Sequence, residues 1–503
     1  MDYAEHAHPH QENTPLYLET DDHVYAYDDS QDPGEHESST PSNQIQTRRL
    51  LHVALAVTLF SCSLPIHSLV ISQLTYAVFA EQETGNRTIN TRSDPCVNST
   101  STNMSETALI HKIQDMTSDK ILFLELTSNG LSVVTNLVFG VISSKISRRT
   151  LLFIPAFGYF LRSFVVTIVC GCNLGIDWLF LAYTLDGLLG SQTGVYLGTF
   201  LYTTDITSRD SKRTLGVAIV ETTKGFIGSV MNIVAGNLLQ DTDFFITSLV
   251  VNIIMFLAMV VILFLPDQRP HRSHRSSVTF TERLISPFTS GSPTTKQMVL
   301  FGYAAWFIYI LEAVGVMRFR DLFLMNLPFC FSAIEIGWLE FTQSTIAQLF
   351  ALTSVATLSS KLPGVALAII GNCSTTIQYL FYGLARSTTE IFITPVFAIG
   401  ESITSTILRG EMSRLFGPDQ QGPLLAFLGV LESLAFTLAS PIFLPIYKDT
   451  QDYPAGPGSA FLFATLFLAS LLGVLAMYQL RWMRHQKELH YAEIVIQEKD
   501  EHD

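Results

Sequence analysis

Charge is scarce in this sequence: 15% of its 503 residues are Asp, Glu, Lys or Arg, while 48% belong to the hydrophobic set. Soluble domains carry about 25% charged residues. The deficit excludes an ordinary water-soluble enzyme, and the acidic balance of −14 argues against a nucleic-acid partner. Six cysteines are too few for a disulfide-built secreted module. No metal-ligand cluster, nucleophile elbow or phosphate-binding loop stands out, so neither an enzyme nor a bound metal or cofactor is expected. The His6-Ala-His8-Pro-His10 stretch is too short of ligands to change that. Lys and Arg are absent from the first 47 residues, which hold eleven Asp or Glu. Most of the net charge therefore belongs to a tail. Residues 1–47 also lack an apolar run that could offset chain entropy, and read as a disordered acidic segment with no cleavable signal peptide.

What the chain has in quantity is long apolar runs. A helix needs about 20 apolar residues to cross the hydrocarbon layer. Such runs lie near 50–78, 119–143, 150–171, 177–204, 213–239 and 244–265, then near 297–325, 332–358, 363–385, 389–416, 422–446 and 458–482. Backbone groups in lipid must be satisfied within each segment, which makes these runs helices. The expected architecture is an all-α membrane protein of twelve transmembrane helices. A six-helix half at 48–265 is joined through a cytoplasmic connector at 266–296 to a second half at 297–482, followed by a tail at 483–503. Six spans, a connector and six spans is the plan of a transporter built from two halves.

Basic residues set the orientation. Arg48 and Arg49, Lys145 with Arg148 and Arg149, Arg209 with Lys212 and Arg213, the connector arginines Arg269, Arg272 and Arg275, and Arg481, Arg484 and Lys487 all fall on one side, expected to be cytoplasmic with both termini. The opposite side receives the loop at 81–118, with sequons at Asn86, Asn98 and Asn103. A fourth sequon at Asn372 falls inside a span and is expected to be silent. Cys96 in that loop and Cys330 between spans 7 and 8 share the outer, oxidising side, where one bridge between them is open to formation.

Ionisable residues at membrane depth cost a few kcal/mol on insertion scales and mark partners, cavities or pathways. The candidates are Glu125, Arg162, Asp186, Asp205, Glu221, Lys224, Glu312, Glu340, Glu401, Arg409, Glu411 and Glu432, with Asp205, Glu340 and Glu411 close to helix ends. Glu221 and Lys224, three residues apart, share a helical face. They form either a structural ion pair or a proton carrier with its counter-charge. Arg409 keeps its proton under physiological conditions and presents a planar fork suited to carboxylate, phosphate or sulfate. Its alternative is a fixed counter-ion to Glu401 or Glu432. Lys224, Glu312 and Glu401 join it as candidate substrate-binding residues, and Asp205 joins Glu221 as a candidate proton-coupling residue. His67 is a lone histidine among apolar residues. Pro65, Pro155, Pro395, Pro441 and Pro445 are kink points, and Gly187, Gly190, Gly194 and Gly198 permit close helix approach.

Several local patterns resemble the solute carrier family 46 (proton-coupled folate transporter-like) branch of the major facilitator superfamily. They are Gly140-Val-Ile-Ser-Ser-Lys-Ile-Ser-Arg148-Arg149, Asp205-Ile-Thr-Ser with Val220-Glu221-Thr-Thr-Lys-Gly225, Leu408-Arg409-Gly-Glu-Met-Ser413-Arg414 with Gln421-Gly422, and Pro328-Phe-Cys330. Ser144 stands where the family form has an aspartate, and no histidine occurs from Ile308 to Met325, the seventh span. The resemblance implies a multi-pass transporter working by alternating access, with proton-coupled symport of a small organic anion such as a folate, steroid conjugate or muropeptide. It implies Glu221 as the proton-coupling carboxylate, Arg409 as the span-10 arginine, Gly140, Arg148 and Arg149 as a gating loop, and a Cys96–Cys330 bridge. Protons are the coupling ion, and the expected partners are the anion and the lipid bilayer. Tyr491-Ala-Glu-Ile494 has the form of an endolysosomal sorting signal for adaptors, so the site is the plasma membrane or an endolysosomal membrane. The competing readings are a proton-independent facilitator or exchanger, and a transporter-like receptor or scaffold.

If the 81–118 loop is on the outer side, enzymatic deglycosylation shifts the electrophoretic mobility of the mature protein, and combined Asn86, Asn98 and Asn103→Gln removes the shift. A protein made without glycans in cells able to attach them reverses the assigned orientation.

Overall fold

With no water in the bilayer core to serve the backbone, each apolar run closes its own hydrogen bonds as a helix. A computed structural model describes residues 43–84, 104–143, 145–207, 211–267, 288–289, 292–325, 328–329, 331, 333–358, 361–415, 418–450 and 458–500. The α-helices are α1 (Asn43–Thr84), α2 (Met104–Ile142), α3 (Arg148–Gly171), α4 (Leu179–Leu188), α5 (Ser191–Ile206), α6 (Ser211–Asp241) and α7 (Phe244–Leu263). Beyond the connector come α8 (Pro293–Met325), α9 (Ala333–Leu358), α10 (Gly364–Leu384), α11 (Thr388–Ile393), α12 (Glu401–Arg414), α13 (Pro418–Thr450) and α14 (Ser459–Asp500). A 3₁₀ segment, Thr394–Gly400, joins α11 to α12 and carries Pro395 in its first turn. Side-chain caps mark several of the starts; Ser147 Oγ accepts from the Thr150 N–H at 3.2 Å, and Asp243 Oδ1 from the Ile246 N–H at 2.7 Å.

Among the described residues, ten helical stretches are long and apolar enough to cross a membrane, against the twelve expected. The fourth expected span is broken into α4 and α5, and the eighth, α9, is helical but diluted by Thr342, Gln343, Ser344, Thr345 and Gln348. The break has a local cause. Gly190 adopts φ +105°, and Ser191, a residue type that rarely enters the left-handed region, adopts φ +54°. Ser191 Oγ donates to Asp186 Oδ2 at 3.0 Å and pins the turn. Residues 1–42, Asn86, Asn98, Asn103, Cys96, Cys330 and most of the connector lie outside the described residues, and α1 starts at Asn43, inside the segment expected to be disordered. Tyr491 and Ile494 fall within α14. Asn372 is buried in α10 and donates to the Leu468 carbonyl at 2.9 Å.

Polarity is inverted relative to a soluble bundle. On α7 the buried positions Thr247, Ser248, Val251, Asn252 and Met255 recur at helical spacing, while Phe245, Ile246, Leu249, Ile253, Phe256 and Leu257 are exposed. Ser163 Oγ donates to Asn252 Oδ1 at 2.7 Å, and Asn252 Nδ2 donates to the Thr167 hydroxyl, so the small polar residues bind α7 to α3. Helices before the connector meet those after it along two seams, α2 with α13 and α6 with α9.

Small residues set the closest approaches. A Cβ on Gly187 would fall 2.5 Å from the Ser128 carbonyl oxygen, and one on Gly198 2.8 Å from the Leu152 Cα; both obstacles are backbone. Gly130 and Gly473 have open space there. Overpacking costs about 1–3 kcal/mol. Gly187→Ala and Gly198→Ala are therefore expected to lower the thermal midpoint of the detergent-solubilised protein, while Gly130→Ala and Gly473→Ala leave it unchanged. Fluorescence-detected gel filtration after heating reads the difference.

Candidate functional site

Four charges, three of them buried and Lys224 half-buried, converge from three helices. Arg409, five residues before the end of α12, points its fork at Glu221 of α6 and Glu432 of α13: Nη1 lies 2.9 Å from Glu221 Oε1, and Nη2 lies 2.7 Å from Glu432 Oε2. The two contacts differ in alignment. The contact to Glu432 is a well-aligned hydrogen bond, whereas Arg409 Nη1 approaches Glu221 Oε1 at the same kind of distance but less well aligned. Glu221 is held from its other oxygen by Lys224 Nζ at 2.7 Å, one turn along α6. Two carboxylates face two cations, and the cluster is neutral.

Aromatic faces wall the cations. The Arg409 guanidinium lies 3.9 Å from the Phe200 ring centroid and 4.5 Å from that of Trp306, and Lys224 Nζ lies 4.5 Å from that of Tyr196. Arg409 is 4% exposed, Glu221 5% and Glu432 5%. Water therefore screens the cluster little, and any change in one charge is felt by the other three. Beside it, Ser433 Oγ lies within hydrogen-bond distance of Ser132, Asn136 and Thr193, tying α13 to α2 and α5.

The other expected residues form separate groups. Arg148 Nε pairs with Asp205 Oδ2 at 2.6 Å, at the end of α5, while its Nη1 donates to the Ser143 carbonyl at 2.7 Å. Arg149 donates to the Leu263 carbonyl at 3.2 Å, at the end of α7. The loop arginines thus stitch four helix ends, and Asp205 sits with them, apart from Glu221. Gly140 faces Ala426 of α13 so closely that a Cβ would fall 2.3 Å from its side chain. Glu401 accepts from Gln343 Nε2 at 3.0 Å, and Gln343 Oε1 accepts from the Tyr382 hydroxyl at 3.2 Å. Glu312 is buried, and its Oε1 has no hydrogen-bond partner among the described residues. Lys224 is the one further expected binding residue that joins Arg409.

Sequence reasoning left Glu432 among the possible counter-ions and did not single out Phe200, Trp306 or Tyr196. Depth alone marked Glu432; the aromatic residues carried no signal, because Phe and Trp are equally at home against lipid.

No family model matches the chain. It is 24% identical over 378 residues to the proton-coupled folate transporter of Rattus norvegicus, covering 74% of this chain and 82% of the relative. It is 23% identical over 444 residues to the lysosomal proton-coupled steroid conjugate and bile acid symporter SLC46A3 of Gallus gallus, covering 85% and 94%. Among solved structures, the human organic anion transporter MFSD10 aligns with a TM-score of 0.63 at 14% identity, over 86% of this chain and 99% of that one. The Major Facilitator Superfamily transporter FucP, in the outward conformation, aligns with a TM-score of 0.62 at 10% identity, over 85% and 98%. The sequence relatives are members of solute carrier family 46, the branch that the motifs resemble, and the chain has the fold of the major facilitator superfamily transporters.

Proposed function

We propose that the protein is a secondary active transporter that carries a small organic anion together with a proton by alternating access. The observation that carries this reading is the Arg409 guanidinium, shared between Glu221 before the connector and Glu432 after it. In this reading the bundle is twelve spans in two six-helix halves, with the connector and both termini cytoplasmic, and Arg409 is a joint between the halves. The α2–α13 and α6–α9 seams, each pairing a helix before the connector with one after it, support the division.

The charge count gives a coupling rule. A proton on Glu221 leaves one excess positive charge and loosens the grip of Lys224 and of Arg409 Nη1. An anionic cargo that takes the freed fork restores neutrality. Proton without anion, or anion without proton, leaves an uncompensated charge in a low-dielectric site, which is strongly disfavoured. Loaded and empty forms are the two neutral ones, and they are the forms that reorient. Arg148, Arg149, Gly140 and Asp205 act as the gating set at the cytoplasmic end. The named activities of the relatives support a folate-like or steroid-conjugate-like cargo, at the plasma membrane or an endolysosomal membrane, with Tyr491 and Ile494 available to sorting adaptors.

One observation favours a second reading. Lys224 holds Glu221 at 2.7 Å, and a carboxylate that never leaves this partner makes the protein a proton-independent facilitator or exchanger. Uptake into proteoliposomes with and without an inward proton gradient separates the two. Under coupling, Glu221→Gln at normal membrane density loses accumulation against the cargo gradient yet keeps exchange, since the loaded form still reorients. Retained concentrative uptake in Glu221→Gln removes Glu221 from coupling.

Arg409 has its own test. Lysine keeps the charge and loses the bidentate fork, so Arg409→Lys retains transport with weaker apparent affinity, and Arg409→Ala loses at least about tenfold. Equal, full activity in both variants leaves Arg409 without a role in cargo binding.

A further inference from the structure

A second group of charges lies elsewhere in the bundle and shares no residue with the Arg409 cluster. It lines a half-open cavity of about 240 Å³ formed by α1, α2, α3, α4, α5, α8 and α13. Two arginines line it, Arg162 of α3 and Arg318 of α8. Arg318 embraces Glu125 of α2 with both terminal nitrogens, Nη1 to Oε1 at 3.0 Å and Nη2 to Oε2 at 2.5 Å, while its Nε is buried without a hydrogen-bond partner among the described residues. Arg162 donates from Nε to His67 Nε2 at 2.9 Å and from Nη1 to Asp186 Oδ2 at 3.1 Å, with its guanidinium 3.8 Å from the Tyr183 ring centroid.

The two acids are not equivalent. Asp186 is fully buried, and its Oδ2 also accepts from Ser128 and Ser191, so it is fixed in place. The Glu125 side chain is 25% exposed, and among the described residues its hydrogen-bond partner is Arg318 alone. Glu125 is thus the one anion of the group that can turn away to water. When it does, its two oxygens leave a vacated position against a guanidinium fork whose geometry fits a carboxylate bidentately. The rest of the lining includes Leu64, Tyr159, Met317 and Phe436, an apolar and aromatic surface beside that fork.

We propose that this cavity is a binding site for a ring-bearing organic acid, whose carboxylate displaces Glu125 from Arg318 while its ring packs against Tyr159 and Phe436. Pockets that enclose a whole drug-sized ligand run to about 300–1,000 Å³. A cavity below that range takes one aromatic or fused bicyclic system with its acid. Arg162 adds positive potential at the wall without giving up Asp186. Because α2 precedes the connector and α8 follows it, the ligand replaces the Glu125–Arg318 ion pair between the two parts of the chain. The inference goes beyond the transport reading and does not need turnover.

The test is direct binding of 2-naphthoate to the full chain in nanodiscs by isothermal titration calorimetry, with empty nanodiscs subtracted. The background is Arg409→Ala, which disables the other anion fork. Glu125→Gln removes the internal competitor and is expected to tighten binding at least about tenfold, whereas Arg318→Ala weakens it at least about tenfold and Arg318→Lys falls between. 2-Naphthamide, with the same ring and no charge, is not bound. A structural ion pair predicts the same direction for both single changes, so parallel effects of Glu125→Gln and Arg318→Ala, or no naphthoate binding at millimolar concentration, overturn the proposal. A misfolded Glu125→Gln protein cannot bind more tightly, which keeps the sign decisive. Proteoliposomes that fail to transport while these opposite signs hold would overturn the transport reading alone.

Discussion

An arginine that cannot surrender its proton must be answered wherever it is buried. Arg409 is answered by Glu432 through a well-aligned hydrogen bond and by Glu221 at 2.9 Å, and this shared grip organises the centre of the molecule. One guanidinium holds α6, α12 and α13 together. In the proposed coupling, a proton on Glu221 changes the balance of charge among them. Breaking a buried pair by removing one partner costs about 3–5 kcal/mol, which sets the scale of the penalty for a half-loaded site. The neighbouring knot of Ser132, Asn136, Thr193 and Ser433 is neutral and does not respond to protons. It ties α13 to α2 and α5 independently of the charges next to it.

A second, independent division of labour appears at Asp186. This carboxylate holds Arg162 and also holds Ser191 in its left-handed turn. The broken fourth span and the arginine that lines the cavity thus depend on one side chain. Fixing Asp186 in this way leaves Glu125 as the mobile acid of the group.

Much of the fold was legible because lipid imposes a one-dimensional rule: length and hydropathy alone mark most spanning helices. The Glu221–Lys224 pair was legible for the same reason, since three residues along one helix fix a shared face. The exceptions follow physically. Hydropathy does not register the break at Leu189–Gly190, since a two-residue turn leaves the apolar run uninterrupted. The polar run Thr342–Thr345 lowers the hydropathy of α9 without ending the helix. The Arg409–Glu432 contact joins separate helices, and sequence distance says nothing about which faces meet. Nor could composition reveal that Glu125 would find its cation at Arg318, 193 positions away.

The inverted polarity of α7 reaches beyond packing. Its outward Phe245, Ile246, Leu249, Ile253, Phe256 and Leu257 meet fluid acyl chains that have no fixed shape to complement. Exchange among Leu, Ile, Val and Phe on that face therefore meets little selective resistance. The inward Ser163, Thr167 and Asn252 form a bonded set that must change together or not at all. On this face the lipid sets only a demand for apolar surface, whereas the bonded interior sets a demand for particular partners.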